Sequence, residues 1–176
     1  MRKLYAYLFL VVAASVCTSP AFAQTRFTAT QVCSKPDPQQ FIAVGDRPDH
    51  SLGVLQYRCH WTKPLQLGTD TSTEGMSTAT IETSGSISHS RGLHVSTMQS
   101  GDKVFVAYRS TDISKAGAAA VSSGTWAFTG GTGNLAGIKG KGSFTCTPTD
   151  DELTCQIEGD YQLTRSRSVK IHPAAQ

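Results

Sequence analysis

The residues with most chemical reach in this 176-residue chain are its histidines, its cysteines and a glycine-rich run that imitates a phosphate cradle. Gly131-Thr132-Gly133-Asn134-Leu135-Ala136 satisfies GxGxxA. In a dinucleotide-binding unit such glycines lie between a strand and a helix whose N-terminus takes the pyrophosphate. Here the run continues as Gly137-Ile138-Lys139-Gly140-Lys141-Gly142, which no helix tolerates. A phosphate loop fails as well: Gly140-Lys141 is followed by Gly142, and Leu135 stands where its first glycine belongs. His50, His60, His89 and His94 form no HxH or HxxxH pair, so no metal site is expected and no cofactor is implied. No serine sits in a GxSxG elbow.

Cys17 falls within the signal-like residues 1–23, leaving Cys33, Cys59, Cys146 and Cys155. An even count in an exported chain favours disulfides. Spacing favours Cys33–Cys59 and Cys146–Cys155. The latter two are equidistant from a turn at Asp150-Asp151 and would face each other across a hairpin. A four-cysteine zinc site lacks any CxxC pair. With both bridges formed, no cysteine is left as a nucleophile.

A polar set comprises Arg58 and His60 on one face of a strand, Arg109 on another strand, and Glu74 and Glu82 on a third. Between Leu52 and Trp61, Leu52, Val54, Gln56, Arg58 and His60 share one face, and Gly53, Leu55, Tyr57, Cys59 and Trp61 the other. If the first face is interior, Arg58 and His60 fix a polar ligand group. If the second is interior, they are solvated, and its greater apolar area favours this reading.

These residues must be positioned by strands. Residues 1–23 read as a secretory signal: Arg2 and Lys3, an apolar run from Leu4 to Val16, then Ala21-Phe22-Ala23 before cleavage. The run is too short to span a membrane, which takes roughly 20 apolar residues. Residues 24–168 then form a single domain and 169–176 a flexible tail, in a product exported to the periplasm or beyond. Removing Arg2 and Lys3 from 16 basic residues leaves 14 against 13 acidic ones, which argues against nucleic acid as a partner. Period-two alternation places strands near 25–33, 40–45, 52–62, 74–83, 92–99, 103–110, 124–130, 140–147 and 153–164. The only helix-like composition is Ala116–Val121. About eight strands at this spacing make an antiparallel sheet that closes, and a barrel is favoured over a sandwich.

Gly130, Gly131, Gly133, Gly137, Gly140 and Gly142 mark a structural corner that turns the chain between two strands. The pattern GTWxFxGGTGxxxGxxGxG from Gly124, followed by Glu158-Gly159-Asp160-Tyr161, resembles bacterial secreted proteins related in fold to the allene oxide cyclase and dirigent barrels of plants. The likeness covers about residues 124–163 and implies an eight-stranded antiparallel barrel of calycin-like shape. It carries over no catalytic residue. Plant members use a barrel cavity as their site, and the resemblance carries over the barrel alone.

The expected function is a non-catalytic binding module for a small apolar or aromatic molecule. The alternatives are a cavity-based isomerase or cyclase, and a filled barrel with a structural or surface role. Tyr57, Trp61, Trp126 and Phe128 would line the pocket, with Arg109 helping to orient the ligand.

Overall fold

The computed structural model describes residues 24–115, 118–149 and 151–163. The expected signal segment and tail lie outside them. Alternating sequence produces strands almost throughout: β1 Thr25–Ser34, β2 Gln39–Ala43, β3 His50–Lys63, β4 Gln66–Leu67, β5 Asp70–Ser84, β6 Ile87–Met98, β7 Lys103–Lys115, β8 Ala118–Gly131, β9 Lys139–Pro148 and β10 Glu152–Gln162. Every ladder is antiparallel, in the order β3-β1-β10-β9-β8-β7-β6-β5, and β5 pairs back onto β3 to close the barrel. Eight strands thus form the wall. β2 continues β1 along the same edge of β3 after an interruption at 35–38, and β4 is a short hairpin partner of β5. Closure leaves no long unpaired edge on the wall.

Several strands run longer than the pattern suggests. β6 begins at Ile87 rather than near 92, because Ser84 and Ile87 pair across a two-residue turn with Gly85 at φ +61°. Glycine at the first central position suits the twist of a tight hairpin. β8 starts at Ala118, so the described part of the alanine-rich stretch read as helix-like belongs to a strand. β7 supplies its ladder partners, Lys115 to Ala118 and Ile113 to Val121, and that pairing overrides a weak helix propensity.

One end of the barrel is sealed. Leu65, Leu67, Met98, Val104, Leu135 and Ile138 pack there with Ala29, Trp126, Phe128 and Tyr161, all buried. Leu135 and Ile138 come from the glycine-rich segment between β8 and β9, whose only helical element is a single 3-10 turn, Gly133–Leu135. This segment folds under the barrel as a plug. The Gly68 amide donates to the Tyr161 hydroxyl (2.8 Å), stitching the β4–β5 turn across the same end.

The six glycines expected to turn the chain divide into different roles, and the corner is narrower than their density suggests. Gly133 sits at φ +50° with Asp102 where a Cβ would project, and Asp102 accepts hydrogen bonds from Thr132 Oγ1 (3.1 Å) and the Asn134 amide (3.2 Å). Gly137 lies in the turn that follows, but not at positive φ. Gly130 is a correction: it does not turn the chain but lies within β8, paired with Phe105 of β7. The ladder shifts register there between Phe105 and Val106, and Gly130 takes φ +154° beside that bulge, where a side chain would be strained. Gly131 is also a strand residue, closing β8 opposite Val104, where a Cβ would collide with the carbonyls of Leu135 and Lys103. Gly140 and Gly142 belong to β9 and are packed against β10.

Both disulfides form as the spacing indicates. Cys33 pairs with Cys59 across β1–β3, and Cys146 with Cys155 across β9–β10, each at directly opposed register positions. No described helix is long and apolar enough to cross a membrane.

Candidate functional site

Above the plug the barrel is hollow, with an interior cavity of about 370 Å³. Its position follows from the alternation of each strand. On β3 the odd-numbered face points inward, with Leu55 and Cys59 buried and Tyr57 and Trp61 on the cavity wall, while Arg58 and His60 are exposed outside. The solvated reading of that arginine and histidine therefore holds. On β7 the even-numbered face is interior: Val106, Tyr108, Ser110 and Asp112 line the cavity above the buried Val104.

This parity also locates Arg109. It stands on the opposite face of β7 from Tyr108, exposed on the outside, so the ligand-orienting role expected for it has no geometric basis. The other four expected lining residues meet in one chamber. Trp126 and Phe128 form the floor, with ring centroids 4.9 Å apart, and Trp126 is packed against Phe27 as well. The Trp126 indole N–H is occupied, donating to the carbonyls of Ser143 (3.3 Å) and Glu158 (3.2 Å). Tyr57 and Trp61 form part of the wall.

The wall also contains residues that sequence reading did not single out. Tyr108 shares a 2.7 Å hydrogen bond with Ser77 and meets Phe144 edge-to-face. His94, which is buried, shares a 3.0 Å hydrogen bond with Ser96 through Nε2 and lies edge-on to Trp61. Gln31 donates to Cys33 Sγ (3.1 Å). Two polar atoms of wall residues are buried without a partner among the described residues: the Trp61 indole N–H and Asp112 Oδ1. Period-two alternation places Val104, Val106 and Tyr108 on one face of β7, and extending it by two steps reaches Asp112.

Burial dominates the electrostatics. The His94 imidazole is pulled down to about 4 by desolvation, so it is a neutral ring at neutral pH. The Tyr57 hydroxyl is pushed up to about 12, first by burial and then by Tyr108 and Asp112. Tyr108 is raised by burial, opposed by its bond to Ser77 and reinforced by Asp112. Both phenols are therefore neutral donors. No group of three or more His, Cys, Asp or Glu able to hold a metal occurs among the described residues. The His94–Ser96 contact lacks the features of a nucleophile–base pair, since a ring drawn down to about 4 is a weak base.

No protein-family model matches this sequence, and no curated protein matches it. Solved structures of similar fold include a pterocarpan synthase dirigent protein, with a TM-score of 0.50 and 11% identity over 81% of this chain and 88% of that one. A lower-scoring structural neighbour is a protein of unknown function from the DUF3224 family of Shewanella oneidensis MR-1, with a TM-score of 0.47 and 14% identity over 82% of this chain and 100% of that one. At 11% identity the likeness to the dirigent protein is one of fold: a closed, eight-stranded antiparallel barrel.

Proposed function

We propose that the protein is an exported, single-domain binding module, residues 24–168, that holds one small, flat, largely apolar molecule inside its barrel without transforming it. The observation that carries this is the hollow interior. A cavity of about 370 Å³ falls in the ~300–1,000 Å³ range of small-molecule sites and is walled by aromatic rings with a few convergent hydroxyls. A barrel evolved only as a scaffold would fill that volume with side chains, since empty apolar space costs stability. Export rests on the signal-like segment 1–23 and agrees with two disulfides, which persist in oxidising compartments. Tyr57 and Trp61 act as the wall and Trp126 and Phe128 as the floor against which a planar ligand stacks.

The test is titration of the mature protein with N-phenyl-1-naphthylamine, an uncharged dye that fluoresces in apolar surroundings. Saturable, stoichiometric enhancement is expected, together with quenching of tryptophan emission. Replacing Ala79, buried on the cavity wall, with Phe should abolish dye binding by filling the void while the circular dichroism spectrum is retained. A linear, non-saturating response, or a response unaffected by Ala79→Phe, would end this reading.

A further inference from the structure

We propose that the cavity selects small organic cations: a primary or secondary amine whose ammonium group pairs with Asp112 and whose apolar body lies among Tyr57, Trp61, Tyr108 and Phe144. This deepens the binding reading above and rests on it. Asp112 is the only aspartate or glutamate among the described residues of the cavity wall, and no lysine or arginine among them lines that wall. Its Oδ1 is buried without a hydrogen-bond partner, and no ion pair to it forms among the described residues. A buried carboxylate oxygen with neither counter-charge nor donor is costly, and proteins rarely leave one without a function.

The groups around Asp112 do not satisfy it from within. In the ladder it is opposed by Ser88 on β6 and Ser122 on β8, both on the cavity wall and both too short to fill the lumen. His94, the wall residue that would serve as an internal cation if protonated, is held neutral by burial. Asp112 nevertheless shares the chamber with both phenols, because its charge helps to raise Tyr57 and Tyr108.

The counter-charge is therefore left to the ligand. An ammonium at Asp112 would be ringed by hydroxyls at the serine-rich end and faced by electron-rich aromatic surfaces deeper in, an arrangement that attracts cations. Ligands bearing a carboxylate meet the opposite situation, since their charge would be desolvated beside Asp112 with no cation to receive it.

The experiment uses three probes of one shape: phenethylamine, 2-phenylethanol and phenylacetate, each displacing N-phenyl-1-naphthylamine from the mature protein at neutral pH. The amine is expected to bind about tenfold or more tighter than the alcohol, as a charge-assisted hydrogen bond allows, with phenylacetate weakest. Asp112→Asn should abolish the amine's advantage, bringing amine and alcohol to equal affinity. The inference is overturned if the alcohol or phenylacetate binds as well as the amine, or if Asp112→Asn keeps the amine preference. The wild-type ranking needs no variant, so a misfolded Asp112→Asn protein does not shelter the idea. Dye binding without amine preference overturns this inference alone, whereas no dye binding at all overturns the binding reading with it.

Discussion

His94 carries the largest downward pull on a histidine in the described chain, and its burial couples folding to pH. Its ring titrates near 4 in the folded protein against an ordinary value of 6.5. As pH falls from 6.5 to 4 the unfolded chain takes up a proton that the folded one refuses, so stability is full above 6.5 and lost through that window. The total loss is on the order of 3 kcal/mol. His50 works in the opposite sense, since Asp46 and Glu82 hold its pKa up, and its contribution is present below 6.5 and fades as pH rises through its folded value. Comparing wild type with His94→Gln isolates the buried ring. Urea unfolding at pH 7 and pH 4.5 should show most of the wild-type loss removed in the variant, and equal losses in both proteins would refute the assignment. At this scale the sequence was half legible. Parity divided the strands into two faces, greater apolar area favoured the one carrying Tyr57 and Trp61, and the same parity, applied to Arg109, would have placed it outside. What alternation does not encode is whether an inward residue fills the lumen or borders a void, so Asp112 was not singled out and His94 was weighed only as a metal ligand.

The void has its origin in how neighbouring strands share space. Inward glycines stand next to inward rings on adjacent strands: Gly75 against His94, Gly92 against Tyr108, Gly124 against Phe144, and Gly142 against Trp126. A Cβ added at Gly142 would lie 2.7 Å from Trp126 Cζ2, and one at Gly75 2.5 Å from His94 Nε2. Missing side chains thus let the rings lie along the wall instead of across the lumen, as aromatic cover of strand glycines does elsewhere. Glycine density pointed to a corner, and Gly133 fulfils that role, but Gly130, Gly131, Gly140 and Gly142 are strand residues. Composition does not separate a glycine that turns the chain from one that relieves a bulge, as Gly130 does, or one that accommodates a ring. Two substitutions separate the first role from the last. Gly133→Val should lower stability by about 1–3 kcal/mol through strain at positive φ and collision with Asp102, leaving dye affinity unchanged. Gly142→Ala should cost more, because an added Cβ would collide with the Glu158 carbonyl oxygen as well as lie 2.7 Å from Trp126, so the β9–β10 ladder and the floor ring must both shift and dye binding weakens. Equal effects of both substitutions on dye binding would refute this division of roles.

The molecule as a whole is asymmetric along its axis, and the disulfides belong to that asymmetry. The plug of Leu67, Met98, Val104, Leu135 and Ile138 stabilises one end by burial. The opposite end, around Ser88, Ser110, Asp112 and Ser122, has few apolar contacts to hold its strands together. Cys146–Cys155 lies at this hollow end, as shown by the Ser122–Cys146 ladder pair, and Cys33–Cys59 ties β1 to β3 on the cavity wall. Covalent links thus supply along the cavity the cohesion that side-chain packing supplies at the closed end, and leave the cavity unfilled. Loop-closure entropy over separations of 9 and 26 residues predicts about 2.6 kcal/mol for Cys146–Cys155 and about 3.5 kcal/mol for Cys33–Cys59. Reduction should therefore act locally before it acts globally. Hydrogen exchange on the reduced protein is expected to accelerate first at residues 110–114, 120–123 and 145–155, while amides at 98, 104 and 128 beside the plug keep their protection. Dye affinity should fall in parallel with exchange at the open end. Uniform acceleration along the barrel, or loss of protection at the plug first, would mean that the two ends are one cooperative unit and that the bridges do not substitute for the missing core.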